Sequence, residues 1–413
     1  MLRRKMILAI ADGLGDRPHP KLGNLTPLQY ADTPNLDRLA AEGISGMMDP
    51  IAPGIPVGTD MGHLILFGYE PNCYPGRGPI EALGIGMEVR PGDIVFRCNF
   101  ATVDDRCVVV DRRAGRIRQG TEALARALDG LVLEGGVTAY FKQATEHRAV
   151  LLLRGEGLSD QVSDSDPKAP NDGQPYLRIR PLDKSDEAVR TASALNAFLQ
   201  HAHRILSGHP VNDERVAEDK LPANFILTRG AGRMVELPPL AEQRGMRVAC
   251  IAGESTVLGV ARLAGFRAFT NASMTGNLDT NIALKASMAV EQLTDHDLVY
   301  VHMKAPDVKG HDNDPLGKAH AIERFDELVG RICEQLPDDV YVTLAADHST
   351  PCEYGEHTGE PVPVLISGPS IRRDQVQRYS EIDCMAGGLG RLNGADFVRT
   401  AQDLLGFVKK QGN

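Results

Sequence analysis

The sequence predicts an α/β protein whose doubly wound sheet forms the core, with a smaller α+β domain inserted into it. Three apolar runs rich in β-branched residues, 5–11, 298–303 and 340–346, have the length and composition of buried strands. Helical patterns with clear caps lie between the runs, for example 34–42, where Pro34 suits the first turn and Gly43 the end. A chain of 413 residues exceeds one usual domain, so two domains, or a core with a large insertion, are expected.

Each of the three predicted strands runs into residues that can bind a metal ion. Open α/β sheets place ligands just outside the carboxyl ends of their strands. Three carboxylates and three imidazoles follow the strands: Asp12, Asp307, His311, Asp347, His348 and His357. Mixed carboxylate and imidazole ligation suits Mn²⁺ and Zn²⁺, and six ligands are enough for two divalent cations. The competing interpretation is that strand ends simply gather polar residues, and three occurrences with this composition argue against it.

Thr59 is the candidate nucleophile. The apolar segment from Met61 onward resembles the start of a helix, which would place Thr59 at a helix N-terminus, where backbone N–H groups favour a bound phosphate. A threonine hydroxyl is a poor nucleophile unless a base or a metal lowers its pKa, and the predicted ligands provide that condition. An alternative is that Thr59 is only an N-cap, with Asp60 completing the turn.

These motifs resemble the alkaline phosphatase superfamily, and most closely its archaeal-type, cofactor-independent phosphoglycerate mutases. The resemblance rests on Asp12-Gly13, Gly58-Thr59-Asp60, Asp307-x-x-x-His311, Asp347-His348 and His357. Further segments similar to that family are 26–31, 76–84, 111–117, 147–150, 310–313, 347–352, 359–363 and 387–391. The similarity extends from about residue 5 to about residue 405 without a large gap.

The resemblance implies a role for each of these residues. Asp307, His311 and His357 would bind one divalent metal ion, and Asp12, Asp347 and His348 the other, with Thr59 as nucleophile contacting the second. Mn²⁺ is favoured as the metal, with Zn²⁺, Co²⁺ or Mg²⁺ as alternatives, and no 2,3-bisphosphoglycerate is required. The sequence departs from the family where Thr59 replaces the usual serine and Gly62 a common alanine. The added methyl group beside the phosphate raises the question of substrate identity.

The domain organisation is predicted from the change of character after Tyr69. Residues 1–70 and 223–413 are expected to form the metal-binding core, and residues 71–222 an inserted substrate-binding, or transferase, domain. The segment 223–232 is expected to re-enter the core as a strand. Guanidinium groups match phosphate and carboxylate bidentately, and the predicted substrate-binding residues are Arg77, Arg112, Arg113, Arg116, Arg148 and, in the core, Lys304. His147 is a candidate acid or base.

The composition restricts the kinds of partner that the protein is expected to bind. A net charge of −10 argues against nucleic acid, and no stretch of eighteen apolar residues is present to span a membrane. The apolar run behind the basic N-terminus is short and ends at Asp12, so it is interpreted as the first strand and not as a signal peptide. Seven scattered cysteines without a Cys-x-x-Cys pair suit a reducing cytoplasm. A small phosphorylated substrate is the expected partner, and the sequence leaves monomer and homo-oligomer open.

The predicted function is interconversion of 3-phosphoglycerate and 2-phosphoglycerate through a phosphothreonine intermediate. One alternative is another phosphoryl-transfer enzyme on the same scaffold: a phosphatase, a phosphonate hydrolase or a homoserine-kinase-like relative. Thr59 favours that alternative, and the set of arginines opposes it. A second alternative, a binding module without turnover, is opposed by the complete set of metal ligands.

Overall fold

A computed structural model describes residues 4–168 and 173–412. The chain forms two compact units, the first comprising Met1–Tyr74 and Leu237–Asn413 and the second Pro75–Glu236. The strands, numbered in chain order, are β1 Lys5–Ala11, β2 Ile44–Asp49, β3 Ile94–Val103, β4 Val109–Asp111, β5 Leu131–Leu133, β6 Val137–Gln143, β7 Arg148–Arg154, β8 Phe225–Arg233, β9 Val248–Ile251, β10 Arg267–Phe269, β11 Leu298–Met303, β12 Val340–Ala345, β13 Val362–Ser367 and β14 Gly390–Asn393.

The α-helices in the described residues are α1 Pro27–Tyr30, α2 Pro34–Glu42, α3 Thr59–Leu66, α4 Arg77–Gly84, α5 Thr121–Leu128, α6 Asp186–Ser207, α7 Pro210–Ala217, α8 Leu240–Arg244, α9 Ser255–Leu263, α10 Ile282–Gln292, α11 Ala305–His311, α12 Pro315–Cys333, α13 Glu381–Cys384 and α14 Gly394–Leu404. Of these helices, α4 to α7 lie in the second unit and the others in the first. Short 3₁₀ turns occur at Pro20–Leu22, Pro71–Cys73 and Glu134–Gly136. The helix predicted at 34–42 is present as α2.

The first unit is built on an eight-stranded sheet in the order β10-β9-β11-β1-β12-β13-β2-β14. β1 lies between β11 and β12 and is parallel to both, while β13 runs antiparallel to its two neighbours. The strands β11, β1 and β12 are almost wholly buried, as their apolar, β-branched composition predicts. Because parallel neighbours end at the same edge of a sheet, the residues that follow these three strands meet there. The predicted α/β fold class is confirmed.

The second unit has a separate antiparallel sheet in the order β4-β3-β7-β6-β5, with β8 paired to β3. Apolar side chains of β3, β6 and β8 pack with α5 and α6 in one buried cluster that includes Phe100, Phe141, Phe198 and Phe225. The expectation that 223–232 re-enters the core is wrong, since this segment completes the second sheet. Its apolar run identifies a strand correctly, but such a run does not specify which sheet the strand joins.

Two compositional features are also seen in the structure. All seven cysteines are free thiols, so Cys98 and Cys107 form no disulfide with each other. Within residues 4–168 and 173–412, no helix is both long and apolar enough to cross a membrane.

Candidate active site

One group of potential metal ligands lies at the carboxyl ends of β1 and β12. Asp12 follows β1, and Asp347 and His348 follow β12; all three side chains are fully buried. His348 Nε2 lies 3.4 Å from Asp12 Oδ1 and 3.2 Å from Asp347 Oδ2. The backbone N–H of Gly13 donates to Asp347 Oδ1 at 3.1 Å and holds that carboxylate at the strand ends.

A second group lies beside the first, at the end of β11. Asp307 and His311 stand on α11, one turn apart, and His357 comes from the loop before β13. Asp307 Oδ1 is 3.5 Å from His311 Nε2 and 3.4 Å from His357 Nε2, and the two Nε2 atoms are 3.1 Å apart. The rings of His348 and His357 stack with centroids 3.7 Å apart, so the two groups are contiguous.

Both groups have the spacing and chemistry that a divalent metal ion requires. Metal–ligand bonds of about 2.0–2.2 Å in tetrahedral geometry put neighbouring ligand atoms about 3.3–3.6 Å apart, close to the separations seen here. Asp347 Oδ2 is buried and accepts no hydrogen bond from the described residues, although the ring nitrogens of His348 and His63 lie 3.2 and 3.3 Å away. Such an orphaned carboxylate oxygen suits a metal ligand. The residues therefore fit the cations that the sequence predicts.

Electrostatics keep the carboxylates ionised. Burial and the charge of Asp12 oppose ionisation of Asp307, but contact with His357 and the charge of Lys304 outweigh them and lower the pKa of Asp307 to about 2. The pKa of Asp347 is also lowered, because His348 and His63 outweigh its burial. Deprotonated carboxylates are the form that binds metals.

Thr59 and Lys304 complete the arrangement around the two groups. Thr59 is the first residue of α3, and its Oγ1 lies 3.3 Å from His348 Nε2 and 3.0 Å from Lys304 Nζ. Lys304 Nζ also lies 3.0 Å from Asp12 Oδ1 and 2.7 Å from Asp307 Oδ2. The N-cap of α3 is Gly58, so the alternative that Thr59 serves only as an N-cap is wrong. Its hydroxyl faces the ligand groups instead.

The second unit brings together four of the other predicted residues. His147 is buried, its backbone carbonyl accepts from Phe100 N at 2.8 Å, and its Nδ1 has no hydrogen-bond partner among the described residues. Burial lowers the pKa of His147, and the positive charges of Arg148, Arg113 and Arg116 lower it further. His147 is therefore held neutral beside a cluster of guanidinium groups, the state in which an imidazole can accept a proton.

The remaining two arginines lie in different surroundings. Arg112 forms a bidentate pair with Asp166, with both nitrogen–oxygen distances 2.7 Å. Arg77, at the start of α4, pairs with Glu81 at 3.1 Å, and Glu81 also pairs with Arg97 at 2.7 Å. Both guanidinium groups therefore already pair with a carboxylate.

Comparison with known proteins identifies the family. A family model described as 2,3-bisphosphoglycerate-independent phosphoglycerate mutase matches residues 40–212. The protein of that name from Methanopyrus kandleri is 48% identical over 419 residues, covering 100% of this chain and 99% of its own. The one from Pyrococcus abyssi is 45% identical over 415 residues, covering 100% of each chain. The chain belongs to the 2,3-bisphosphoglycerate-independent phosphoglycerate mutases.

Two solved structures are also similar to this chain over nearly its whole length. The cofactor-independent phosphoglycerate mutase from Thermoplasma acidophilum is similar with a TM-score of 0.75 and 37% identity, covering 97% of this chain and 100% of that one. A protein from Pyrococcus horikoshii is similar with a TM-score of 0.86 and 37% identity over 100% of both chains. The resemblance drawn from the motifs is confirmed, as is the expectation of an enzyme of this mutase family. The alternative of a binding module without turnover is wrong.

Two buried histidines at this candidate site are not predicted by the sequence motifs. His63 stands one turn after Thr59 on α3, and its Nδ1–H donates to the Thr59 carbonyl at 2.8 Å while lying 3.3 Å from Asp347 Oδ2. His302, in β11, donates from Nε2 to Asp12 Oδ2 at 2.8 Å. The hydrogen bond from His302 orients the metal-ligand candidate Asp12, and the ring of His63 lies against the candidate Asp347. Two sequence patterns could have indicated these residues. His63 follows Thr59 at i, i+4 spacing, and His302 is a lone histidine in an otherwise apolar strand.

Proposed function

We propose that this mutase interconverts 3-phosphoglycerate and 2-phosphoglycerate through a phosphothreonine at Thr59, with two divalent metal ions at the two ligand groups. The observation that carries the proposal is the position of the Thr59 hydroxyl. It lies at the N-terminus of α3, within 3.3 Å of His348 Nε2 and 3.0 Å of Lys304 Nζ. A nucleophile at a helix N-terminus between potential metal ligands and a cation is suited to attack a phosphoryl group.

The ligand assignment follows the two groups. Asp307, His311 and His357 would hold one ion, and Asp12, Asp347 and His348 the other, with Mn²⁺ favoured over Zn²⁺, Co²⁺ and Mg²⁺. Bound divalent ions neutralise phosphate charge and lower the pKa of a hydroxyl beside them. His348 is a proposed ligand in one group, lies against the other group and also contacts the Thr59 hydroxyl. The same imidazole therefore positions a metal-ligand atom and the nucleophile.

The reaction is a phosphoryl exchange without net consumption of any group. The Thr59 hydroxyl loses its proton, a bond forms between Oγ1 and phosphorus, and the ester bond to the glycerate oxygen breaks while that oxygen gains a proton. The other glycerate hydroxyl then loses its proton and attacks phosphorus, and the bond to Thr59 Oγ1 breaks while that oxygen regains a proton. The phosphoryl group and one proton have exchanged places between two glycerate oxygens. No 2,3-bisphosphoglycerate is needed, because the enzyme itself carries the phosphoryl group.

Lys304 is proposed to stabilise the negative charge on the phosphoryl group. Its pKa is raised, since burial is outweighed by the charges of Asp12 and Asp307, and the ammonium therefore stays protonated beside Thr59. A fixed positive charge next to the reacting oxygen stabilises charge that grows during in-line attack.

The second unit is proposed to bind the glycerate moiety and to transfer its protons. His147, held neutral, is the proposed acid–base group, and Arg113, Arg116 and Arg148 are the proposed ligands of the carboxylate and phosphate. Arg112 and Arg77 belong to the proposed set as well, and their partners Asp166 and Glu81 would orient them or exchange with substrate.

A phosphoenzyme trap tests the proposed function. The Mn²⁺-loaded enzyme is mixed with 3-phosphoglycerate, quenched in acid within milliseconds, digested and analysed by mass spectrometry. A phosphate on the peptide that contains Thr59, absent from the same peptide of Thr59→Ala, is the expected result. Turnover with no phosphopeptide at any time point, or phosphate on another residue, would contradict the proposed intermediate.

A further inference from the structure

Thr350 lies two residues beyond His348 and belongs to neither ligand group, yet its hydroxyl touches both. Thr350 is fully buried, and its Oγ1 lies 2.6 Å from Asp307 Oδ1 and 3.1 Å from His348 Nδ1. We propose that Thr350 is a positioning residue that couples the two metal-ligand groups and sets the tautomer of His348. The inference deepens the proposed function, because it rests on these groups being the metal ligands.

Hydrogen-bond polarity fixes the arrangement. A carboxylate only accepts, so the single hydroxyl proton of Thr350 must be donated to Asp307 Oδ1. The hydroxyl oxygen can then only accept from His348, which requires the proton of that imidazole to be on Nδ1. Nε2 of His348 then faces Asp12 Oδ1 and Asp347 Oδ2, at 3.4 and 3.2 Å, and is the nitrogen that would bind a metal ion in this group. One hydroxyl therefore orients a carboxylate of one group and presents the ligand nitrogen of the other.

The position and the rotamer of Thr350 are fixed by its surroundings. Its backbone N–H donates to Gly15 O at 3.1 Å, and its carbonyl accepts from the buried Lys318 Nζ at 2.9 Å. A Cβ at Gly310 would lie 2.4 Å from Thr350 O and 2.8 Å from its Cγ2, and a Cβ at Gly13 would lie 2.6 Å from its Oγ1. Only glycine leaves room for this packing, and the χ1 angle of a β-branched residue is already stiff.

Thr350→Val tests the proposal, since it keeps the shape of the side chain and removes the hydroxyl. Loss of such a partner typically lowers metal affinity by about 10- to 100-fold, and that loss is expected for Mn²⁺ bound to metal-free enzyme, measured by isothermal titration calorimetry and by metal content after dialysis. Because Asp307 and His348 belong to different groups, both binding events should weaken. Thr350→Ser, which retains the hydroxyl, should bind Mn²⁺ within about threefold of wild type.

Thr343→Val is the matched control. Thr343 is also fully buried, in β12, and its Oγ1 has no hydrogen-bond partner among the described residues, so the same substitution there should leave Mn²⁺ affinity unchanged. Equal Mn²⁺ affinity of Thr350→Val and wild type at both sites would overturn the proposal. Metal binding is measured without turnover, so the role of Thr350 and the phosphothreonine mechanism can each be contradicted without the other.

The tautomer can be measured in the wild-type chain, which covers the case in which Thr350→Val does not fold. Enzyme labelled with ¹⁵N-histidine and loaded with ¹¹³Cd²⁺ is examined by long-range ¹H–¹⁵N correlation, with His348→Gln assigning the signal. Coupling of cadmium to Nε2, with a proton on Nδ1, is expected for His348. Coupling to Nδ1, or no cadmium coupling to this ring, would overturn the proposal.

Discussion

Lys304 Nζ lies 3.0 Å from Thr59 Oγ1 and at the same time bridges Asp12 and Asp307, which belong to different ligand groups. Lys304→Met keeps most of the side-chain length and removes the charge. Its kcat should fall by about 10²- to 10³-fold, the usual effect of losing a preorganised stabiliser of negative charge. Steady-state kinetics at saturating Mn²⁺ measure it, with the exposed Lys21→Met as control. An unchanged kcat would exclude a role for Lys304 in the reaction.

Thr59 should separate catalysis from metal binding. Thr59→Ala is expected to lower kcat by at least about 1,000-fold, because it removes the group that carries the phosphoryl, while its bound metal and melting temperature stay near the wild-type values. Thr59→Ser should retain substantial activity, since it keeps the hydroxyl at the start of α3. Mutase kinetics and metal analysis on the same preparations measure both. Persisting activity in Thr59→Ala would remove Thr59 from the mechanism.

Replacing Gly62 with alanine should impair catalysis in this protein. A Cβ at Gly62 would lie 2.6 Å from the backbone oxygen of Asp347 and 2.8 Å from its Cβ, so α3 would have to move away from β12. Because Thr59 and His63 are on that helix, kcat should fall by about tenfold or more, since small displacements of reacting groups are costly. Gly208→Ala, at a helix end with open space around it, is the control. Wild-type kinetics in Gly62→Ala would show that α3 adjusts without consequence.

The arginines of the second unit should distinguish substrates. Arg113→Ala is expected to lower kcat/KM for 3-phosphoglycerate by about 10- to 100-fold, the value of a charge-assisted hydrogen bond, and to change cleavage of an aryl phosphate much less. Arg126→Ala, an exposed arginine paired with Glu122, should change neither. An equal loss of both activities in Arg113→Ala would mean that this residue does not recognise the glycerate.

Glu381 should make stability depend on pH. Burial raises its pKa from 4.5 to about 7, although the Thr26 hydroxyl donates to it at 2.7 Å. The folded protein then retains a proton that the unfolded chain releases between pH 4.5 and 7, so this contribution to the free energy of unfolding is full below pH 4.5 and is lost as the pH rises to 7.

Glu381→Gln mimics the protonated acid and should remove that loss. Relative to wild type, the metal-free variant should become more stable from pH 5 to pH 8, by up to roughly 3 kcal/mol in urea titrations. The exposed Glu353→Gln is the control. A constant difference in stability between Glu381→Gln and wild type across this range would show that Glu381 titrates normally.

The sequence was sufficient to predict the sheet edge that carries the candidate site. Strands ending in Asp12, Lys304 and Asp347 are recognisable from buried, β-branched runs, and parallel neighbours must place their carboxyl ends together. Six predicted ligands therefore meet in one region.

Other features depend on tertiary structure and could not be predicted. The run that becomes β8 identifies a strand, but its partner β3 is set by packing in the second unit. His302 and Thr350 hydrogen-bond to residues that are distant in sequence, His302 to Asp12 and Thr350 to Asp307, and His63 lies 3.3 Å from the distant Asp347. No local pattern contains such a pairing.

The most direct test of the central claim is ³¹P NMR of the Mn²⁺-loaded enzyme with 3-phosphoglycerate and no 2,3-bisphosphoglycerate. The account predicts that the 2-phosphoglycerate resonance appears and approaches equilibrium, without inorganic phosphate, and that Thr59→Ala shows neither. Release of inorganic phosphate without 2-phosphoglycerate would contradict it and indicate a phosphatase on the same metal-binding core.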